Sequence, residues 1–243
     1  MAPRRIRGNQ VNDISRLQNR REPLRTGLPP RGTVIKILVA DDHAIFREGL
    51  KRILGDTKDM VVAGEAATHR EVIAKLWKSD YDLVLLDISF PGRSGLDVLK
   101  QLRAIKPQLP VLILSMHPEE QYAVRALRAG ASGYLTKAAA ADELIKAIRK
   151  IARGRKYITS TLAEKLAFEI ENHSDKPLHK TLSDREYQVM CMIASGKRIK
   201  DIASELSLSV KTIDTYRSRT LKKMNLQNTA QLTHYAIKNG LVD

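Results

Sequence analysis

The chain has 243 residues, which suits one large domain or two of ordinary size. It carries 42 Lys and Arg residues against 27 Asp and Glu residues, a formal net charge of +15. This balance favours an anionic partner, either nucleic acid or a membrane surface. No apolar stretch approaches the ~20 residues that cross a bilayer, and the single cysteine, Cys191, excludes an intramolecular disulfide. We therefore expect a soluble, cytoplasmic protein in a reducing compartment.

Residues 1–34 form a basic arm with eight arginines and two acidic residues. Low hydrophobicity combined with like charge predicts disorder. The arm lacks the sustained apolar run of a secretory signal. Its composition is compatible with a nucleic-acid-binding arm and with a solvated tail.

Residues 35–154 alternate apolar runs with amphipathic helical stretches. The apolar runs are Ile35–Ala40, Met60–Glu65, Asp82–Asp87, Val111–Ser115 and Gly133–Lys137. The first helical stretch is Ala44–Leu54, where Ile45, Gly49 and Ile53 share one face. Apolar runs without alternation indicate strands that are buried on both faces. The pattern predicts a doubly wound α/β domain whose five-stranded parallel sheet has the order 2-1-3-4-5.

Polar side chains stand at the ends of four of these predicted strands. Asp41 and Asp42 follow the first strand, and Asp87 ends the third. Ser115 and Lys137 end the fourth and fifth strands. Because the carboxyl ends of parallel strands share one edge, three carboxylates would meet there and raise one another's pKa. A hard divalent cation such as Mg²⁺ is the usual solution, and with the hydroxyl and the lysine the set is suited to binding a phosphoryl group.

This order of acid pair, acid, hydroxyl and lysine resembles the receiver domain of two-component response regulators, of the NarL/FixJ type when the downstream sequence is included. The resemblance implies that the phosphohistidine of a sensor histidine kinase donates a phosphoryl group to Asp87. It also implies that Lys137 and Ser115 each bind a phosphoryl oxygen and that Tyr134 moves with Ser115 as a switch. The motif departs from the usual pattern mainly at Phe90, where Met is common.

The resemblance further implies a Mg²⁺ site at the same strand ends. Asp42, Asp87 and the backbone carbonyl of Ser89 would bind the ion directly. Asp41 would bind it through a water molecule.

Residues 155–180 read as a connector, with a helix from Thr159 to Glu171 followed by an exposed linker. Residues 181–243 contain no strand pattern and predict a small all-α domain. Its helices are expected at about Leu182–Ala194, Ile199–Leu206, Val210–Met224 and Thr229–Lys238, the first with a capping box of Ser183 and Glu186. A short helix, a turn and a longer basic helix make a helix-turn-helix. The tract resembles the LuxR-type DNA-binding domain, including Thr181–Glu186 and Ser209–Tyr216.

The longer basic helix has two faces that helical periodicity separates. The core-facing residues are Ile213, Thr220, Leu221 and Met224. Residues expected to contact base edges are Lys211, Asp214, Thr215 and Ser218. Residues expected to contact phosphates or support the helix are Thr212, Tyr216, Arg217, Arg219, Lys222 and Lys223. A solvated helix face is the alternative, but residues 178–243 hold eleven Lys and Arg against six Asp and Glu, a net charge of +5.

We therefore expect a phosphorylation-dependent, DNA-binding transcriptional regulator that is not an enzyme beyond its own phosphorylation and dephosphorylation. It would bind double-stranded DNA as a homodimer once phosphorylated, with no membrane contact. In this resemblance the unphosphorylated receiver holds the Val210–Met224 helix against itself and blocks DNA and dimer contacts.

Two alternatives stay open at this point. A Mg²⁺-dependent phosphatase with an aspartate nucleophile usually has a second acid two residues after it, where this chain has Ser89. Such enzymes also need a substrate-covering cap domain. A degenerate receiver that dimerises without phosphorylation is the other alternative, and the intact acidic and basic positions argue against it.

Overall fold

The computed structural model describes residues 34–89, 94–171 and 177–242. The basic arm up to residue 33, the Phe90 position and the first part of the predicted linker, residues 172–176, lie outside these ranges. No helix within the described ranges is long and apolar enough to cross a membrane.

Five parallel strands form one sheet in the order β2-β1-β3-β4-β5, as the sequence predicts. The strands are β1 Ile35–Ala40, β2 Met60–Ala66, β3 Leu83–Asp87, β4 Val111–Ser115 and β5 Gly133–Thr136. Every residue of β3 and β4 is buried. The uninterrupted apolar runs follow from this position, because helices cover both faces of the sheet.

Five helices pack around the sheet in two layers. They are α1 Ala44–Gly55, α2 His69–Lys78, α3 Gly95–Ile105, α4 Glu119–Arg128 and α5 Ala141–Ala152. Helices α1 and α5 share one apolar cluster with one face of the sheet, and α2, α3 and α4 share a second cluster with the opposite face. The strand ends that carry Asp41, Asp42 and Asp87 are therefore supported by apolar packing on both faces of the sheet.

The core-facing side of α1 is not the predicted one, which carries Ile45, Gly49 and Ile53. Ile45 is 90% exposed. The buried residues are Leu50 and Leu54. Helix α1 has two apolar faces that could pack on the core. The face with Leu50 and Leu54 is the one that packs there, because it buries more apolar area than a face interrupted by a glycine.

The C-terminal part is all helical, as predicted. Its elements are α6 Ser160–Glu171, a single 3₁₀ turn at Leu178–Thr181, α7 Asp184–Ala194, α8 Ile199–Glu205, α9 Val210–Lys223 and α10 Thr229–Lys238. The capping box of Ser183 and Glu186 is present at the start of α7. Ile213 of α9 and Met224, which directly follows this helix, are fully buried, as the helical period predicts.

Helix α7 lies at the contact between the two parts of the chain, and all eleven of its residues are buried. Arg125 of α4 donates to the backbone oxygens of His179 (2.5 Å) and Leu182 (3.2 Å). The same guanidinium contacts Asp184 at 3.2 Å, and its carbon lies 4.0 Å from the centroid of the Tyr187 ring. These contacts place the start of α7 directly on α4.

This arrangement differs from the expected one, in which the receiver covers the Val210–Met224 helix. Lys211, Thr215, Ser218 and Arg219 on the polar face of α9 are exposed. The α/β part instead contacts α7, where Arg125 lies on the Tyr187 ring and the Tyr187 hydroxyl donates to the Gln121 carbonyl.

Candidate functional site

The carboxyl ends of β1 and β3 lie side by side and bring the acidic residues together. The strands pair with Ala40 opposite Leu86, which places Asp41 beside Asp87. Both aspartates are buried, and Asp87 is only 1% exposed. One ligand atom from each of Asp41, Asp42, His43 and Asp87 lies within 4.8 Å of the others. His43 was not predicted, and the signal for it is its place directly after the acid pair.

Lys137 bridges two of these carboxylates. Its Nζ atom lies 2.6 Å from Asp41 Oδ2 and 2.8 Å from Asp87 Oδ2. The Phe46 ring lies over the ammonium group, with its centroid 4.6 Å from Nζ. Sequence reasoning missed this aromatic contact, which comes from the first turn of α1. Lys137 is held in place through its backbone, which donates to the Ser115 carbonyl at 2.7 Å.

The site holds more negative charge than its one buried cation compensates. Burial raises the pKa of Asp87, and the nearby Asp41 raises it further, while Lys137 opposes both. Burial alone would lower the pKa of Lys137, but Asp87 and Asp41 outweigh it and the pKa is raised. With Asp41, Asp42 and Asp87 gathered around one lysine, a further cation would reduce the repulsion between the carboxylates.

Ser115 and Tyr134 converge on one loop residue, His117. The Ser115 hydroxyl accepts from the His117 backbone N–H at 3.0 Å. The Tyr134 hydroxyl donates to the His117 carbonyl at 2.9 Å. Ser115 and Tyr134 are both fully buried. Both side chains are therefore hydrogen-bonded to the backbone of the same residue.

The loop after Asp87 is positioned by two backbone features. The Ser89 N–H donates to Asp87 Oδ1 at 3.0 Å, which fixes one carboxylate oxygen. Gly95 begins α3 so close to the strand that a Cβ there would lie 2.2 Å from the Asp87 carbonyl oxygen. Only glycine allows α3 to start directly against the strand that carries Asp87.

His117 also lies near the C-terminal domain. Its ring centroid is 4.8 Å from that of Tyr122, which makes an edge contact with Tyr187 at 5.4 Å. The pKa of His117 is lowered by burial and then by Lys197, which stands just before α8. The Tyr187 hydroxyl donates to the Gln121 carbonyl at 2.9 Å. A chain of contacts therefore connects the Ser115 loop with α7.

Helix α9 presents the second candidate surface. The predicted DNA-contacting residues that are exposed are Lys211, Thr215, Ser218, Arg219, Lys222 and Lys223. The half-buried ones are Thr212, Asp214, Tyr216 and Arg217. The exposed set contains four cations, so α9 offers a basic surface to solvent.

Several of these residues already have partners within the domain. Thr212 interacts with the Ser209 hydroxyl that caps α9. Asp214 pairs with Arg217 at 3.2 Å. Lys223 pairs with the buried Glu186 at 2.6 Å, so a bound phosphate would compete with that carboxylate.

Comparison with known proteins identifies the two parts. Residues 37–149 match the family model of the response regulator receiver domain. Residues 180–236 match the model of bacterial regulatory proteins of the luxR family. The chain belongs to the response-regulator family. Both matched models describe regulatory domains, and this membership sets the phosphatase alternative aside.

Relatives and solved structures agree with this assignment. Response regulator UvrY of Escherichia coli (strain K12) is 36% identical over 209 residues, covering 86% of this chain and 96% of that protein. Response regulator GacA of Pseudomonas aeruginosa is 35% identical over 213 residues, covering 86% and 99%. The structure of RcsB from Salmonella enterica serovar Typhimurium bound to promoter rprA with phosphomimetic BeF₃⁻ is similar at a TM-score of 0.59 and 26% identity, covering 84% of this chain and 98% of that chain. The chain is thus a response regulator with a receiver domain and a LuxR-type DNA-binding domain.

Proposed function

We propose that this response regulator accepts a phosphoryl group on Asp87 from the phosphohistidine of a sensor kinase and thereby controls transcription. The observation that supports this most directly is the buried Asp87 carboxylate, with Lys137 at 2.8 Å and Asp41 beside it. This set provides an acceptor oxygen and a fixed positive charge for an incoming phosphoryl group. The cytoplasm is where such a regulator meets both DNA and the kinase.

The acidic residues fit a divalent cation. Asp42 Oδ1 is shielded from solvent and has no hydrogen-bond partner among the described residues. Asp42, Asp87 and the Ser89 backbone carbonyl would hold Mg²⁺ directly, and Asp41 would do so through a water. When bound, Mg²⁺ shields the acceptor carboxylate from the negative charge of the donor.

Lys137 and Ser115 would bind the phosphoryl oxygens once Asp87 is modified. Lys137 acts as a point charge that moves from the Asp87 carboxylate to the phosphoryl group. Ser115 gains a charge-assisted hydrogen bond to another oxygen, and each such bond contributes about 1.5–3 kcal/mol. Ser115 and Tyr134 both hold His117, so their rearrangement moves the loop that precedes α4.

The receiver would inhibit DNA binding through α7 rather than by covering α9. The Ser115 loop, α4 and α7 are in contact through His117, Tyr122 and Tyr187. Phosphorylation need only shift a closed-to-open equilibrium, and each ~1.4 kcal/mol of bias changes the open fraction about tenfold while that fraction is small. The open form would dimerise and occupy two promoter half-sites about one helical turn apart.

On DNA, the two sets of α9 residues would have different tasks. Base edges would be contacted by Lys211, Asp214, Thr215 and Ser218. Phosphates would be contacted, or the helix supported, by Thr212, Tyr216, Arg217, Arg219, Lys222 and Lys223. The exposure of the first turn of α9 and the half-buried position of Tyr216 support this division.

Incubation with a small phosphodonor tests the acceptor assignment. Acetyl phosphate or phosphoramidate with Mg²⁺ should add one phosphate per chain by intact mass, because the receiver promotes its own phosphorylation and dephosphorylation. Asp87→Asn should abolish the uptake, and Asp42→Ala should reduce it severely by removing a metal ligand. Phosphate on the Asp87→Asn protein would show that another residue is the acceptor. A wild-type chain that takes up no phosphate would favour the degenerate receiver.

A further inference from the structure

We infer that Arg185 is a further contact to a DNA phosphate, buried in the closed arrangement and exposed in the open form. This inference rests on the proposed function, in which phosphorylation releases α7 from α4. Arg185 lies in α7, whereas every predicted DNA contact lies in α9. The burial of Arg185 explains how the receiver inhibits DNA binding although the polar face of α9 stays exposed.

Arg185 is a buried cation with an incomplete set of partners. It is only 6% exposed. Its Nη1 atom donates to Gln188 Oε1 at 2.6 Å, whereas Nη2 is shielded from solvent and has no hydrogen-bond partner among the described residues. Gln188 is neutral, so it does not compensate the charge of the guanidinium. Burying a charged donor without a partner is unfavourable, and the open form relieves this by exposing Arg185.

Arg185 lies where the receiver, α7 and α9 meet. Burial lowers its pKa and outweighs the opposing electrostatic influence of three groups. These groups are Tyr216 of α9, Asp97 of α3 and Tyr122 of α4. Two of them belong to the α/β part and the third is among the residues of α9 that were assigned to phosphates or to support of the helix. Separation of the two parts therefore exposes Arg185 beside the DNA-binding helix.

The first turn of α7 adjoins the basic end of α9. Glu186, which directly follows Arg185, accepts from Lys223 Nζ at 2.6 Å. A surface cleft beside this pair is lined by Glu186, Arg219, Lys222 and Lys223. Its three cations are the ones expected to contact phosphates. A DNA backbone that follows them passes the first turn of α7, so an exposed Arg185 would extend the same basic surface.

The side chain of Arg185 suits a phosphate oxygen. A guanidinium presents several donors in one plane and pairs well with phosphate. Gln188 occupies only Nη1, which leaves Nη2 for an anion. The same residue would therefore weaken the closed arrangement and strengthen the DNA complex, and both effects favour the phosphorylated, DNA-bound state.

The salt dependence of DNA binding tests the phosphate contact. Full-length wild type and its variants are treated with acetyl phosphate and Mg²⁺ and titrated onto one labelled DNA site at several salt concentrations. Arg185→Gln and Arg185→Met should each flatten the slope of log affinity against log salt by roughly 1 per bound subunit, because one phosphate contact is lost. Arg185→Lys should keep the wild-type slope, because it keeps the charge. Arg52→Gln removes an exposed arginine of α1 and is the matched control, with the wild-type slope expected.

The reactivity of Cys191 tests the closed arrangement of the same variants without phosphodonor. This only cysteine is buried and interacts with the Tyr122 hydroxyl of α4, so a thiol reagent reaches it when the two parts separate. Arg185→Gln and Arg185→Met should react about fivefold or more slowly than wild type, because the unpaired buried charge is gone. A side chain that merely supports the fold would give the opposite result, since its loss would loosen the contact and speed the reaction.

The outcomes separate this inference from the proposed function. If wild type responds to the phosphodonor but both charge-removing variants keep its salt slope, Arg185 does not contact a phosphate and the inference is overturned alone. Faster reaction of Cys191 in both variants would also overturn it. A wild type whose DNA affinity ignores the phosphodonor would refute the proposed function, and the inference would fail with it.

Discussion

The contacts of Arg125 with the start of α7 predict that this residue stabilises the closed arrangement of the receiver and the DNA-binding domain. Arg125 donates to two backbone oxygens and to Asp184, and it lies on the Tyr187 ring. Its side chain is only 17% exposed. Lys100 would still pair with Asp184 after Arg125 is lost, at 2.6 Å. We therefore take the low end of the range for breaking a buried pair, about 3 kcal/mol.

A change of about 3 kcal/mol raises the ratio of open to closed molecules about a hundredfold. Cys191 reports this ratio without any labelling mutation, because it is the only cysteine in the sequence. Its thiol is buried, interacts with the hydroxyls of Tyr187 and Tyr122, and has its pKa raised by burial to about 12. The closed form should therefore react very slowly with a disulfide reagent such as Ellman's reagent.

We expect Arg125→Ala to react with Ellman's reagent roughly a hundredfold faster than wild type, as the open fraction rises. Arg52→Ala is the matched control, since Arg52 is an exposed arginine of α1 on the opposite face of the sheet. Urea unfolding of both variants separates domain opening from global unfolding. If Arg125→Ala and Arg52→Ala react at the same rate, the Arg125 contacts do not hold the domains together.

Three further predictions concern the site and the DNA surface. Gly95→Ala should destabilise the protein by about 1–3 kcal/mol in urea unfolding, because its Cβ would overlap the Asp87 carbonyl. Gly49→Ala, with nothing within 4 Å, should stabilise the protein by about 0.5–1 kcal/mol; equal effects would contradict the packing at α3. Asp87→Asn should raise the melting temperature at neutral pH. Burial raises the pKa of Asp87, so its charged form destabilises the fold above that pKa, and the gain should shrink as the pH is lowered through it; a gain that grows on acidification would contradict this sign. Lys222→Ala should flatten the slope of log affinity against log salt by roughly 1 without changing base preference, whereas Thr215→Ala should change the preferred bases. A Lys222 variant with altered preference and an unchanged slope would reverse the assignment of the two faces.

The strand ends were predictable from the sequence because parallel connectivity forces them to one edge of the sheet. Asp87 and Lys137 are fifty positions apart in the chain, and their side chains lie 2.8 Å apart. His43 and Phe46 were missed, since the first turn of a helix can point either residue towards the site. Ile45 was predicted to lie on the core-facing side of α1, but it is exposed. Periodicity alone cannot decide which of two apolar faces of one helix packs on the core.

The burial of α7 was the least predictable feature. Its first three residues, Asp184, Arg185 and Glu186, are all charged and yet buried. Two of them have partners from distant elements, with Lys100 and Arg125 contacting Asp184 and Lys223 contacting Glu186, while Arg185 donates to Gln188 within the same helix. Such tertiary pairing leaves no local pattern in the sequence. The contact between the two domains therefore required the structure.

The central claim is that phosphorylation of Asp87 controls DNA binding, and fluorescence anisotropy tests it most directly. Full-length wild type and Asp87→Asn are titrated onto one labelled palindromic site at fixed salt, with and without acetyl phosphate and Mg²⁺. The account predicts that the donor tightens wild-type binding about tenfold or more and leaves Asp87→Asn unchanged. Equal wild-type affinity with and without the donor, or an equal response of Asp87→Asn, would contradict it.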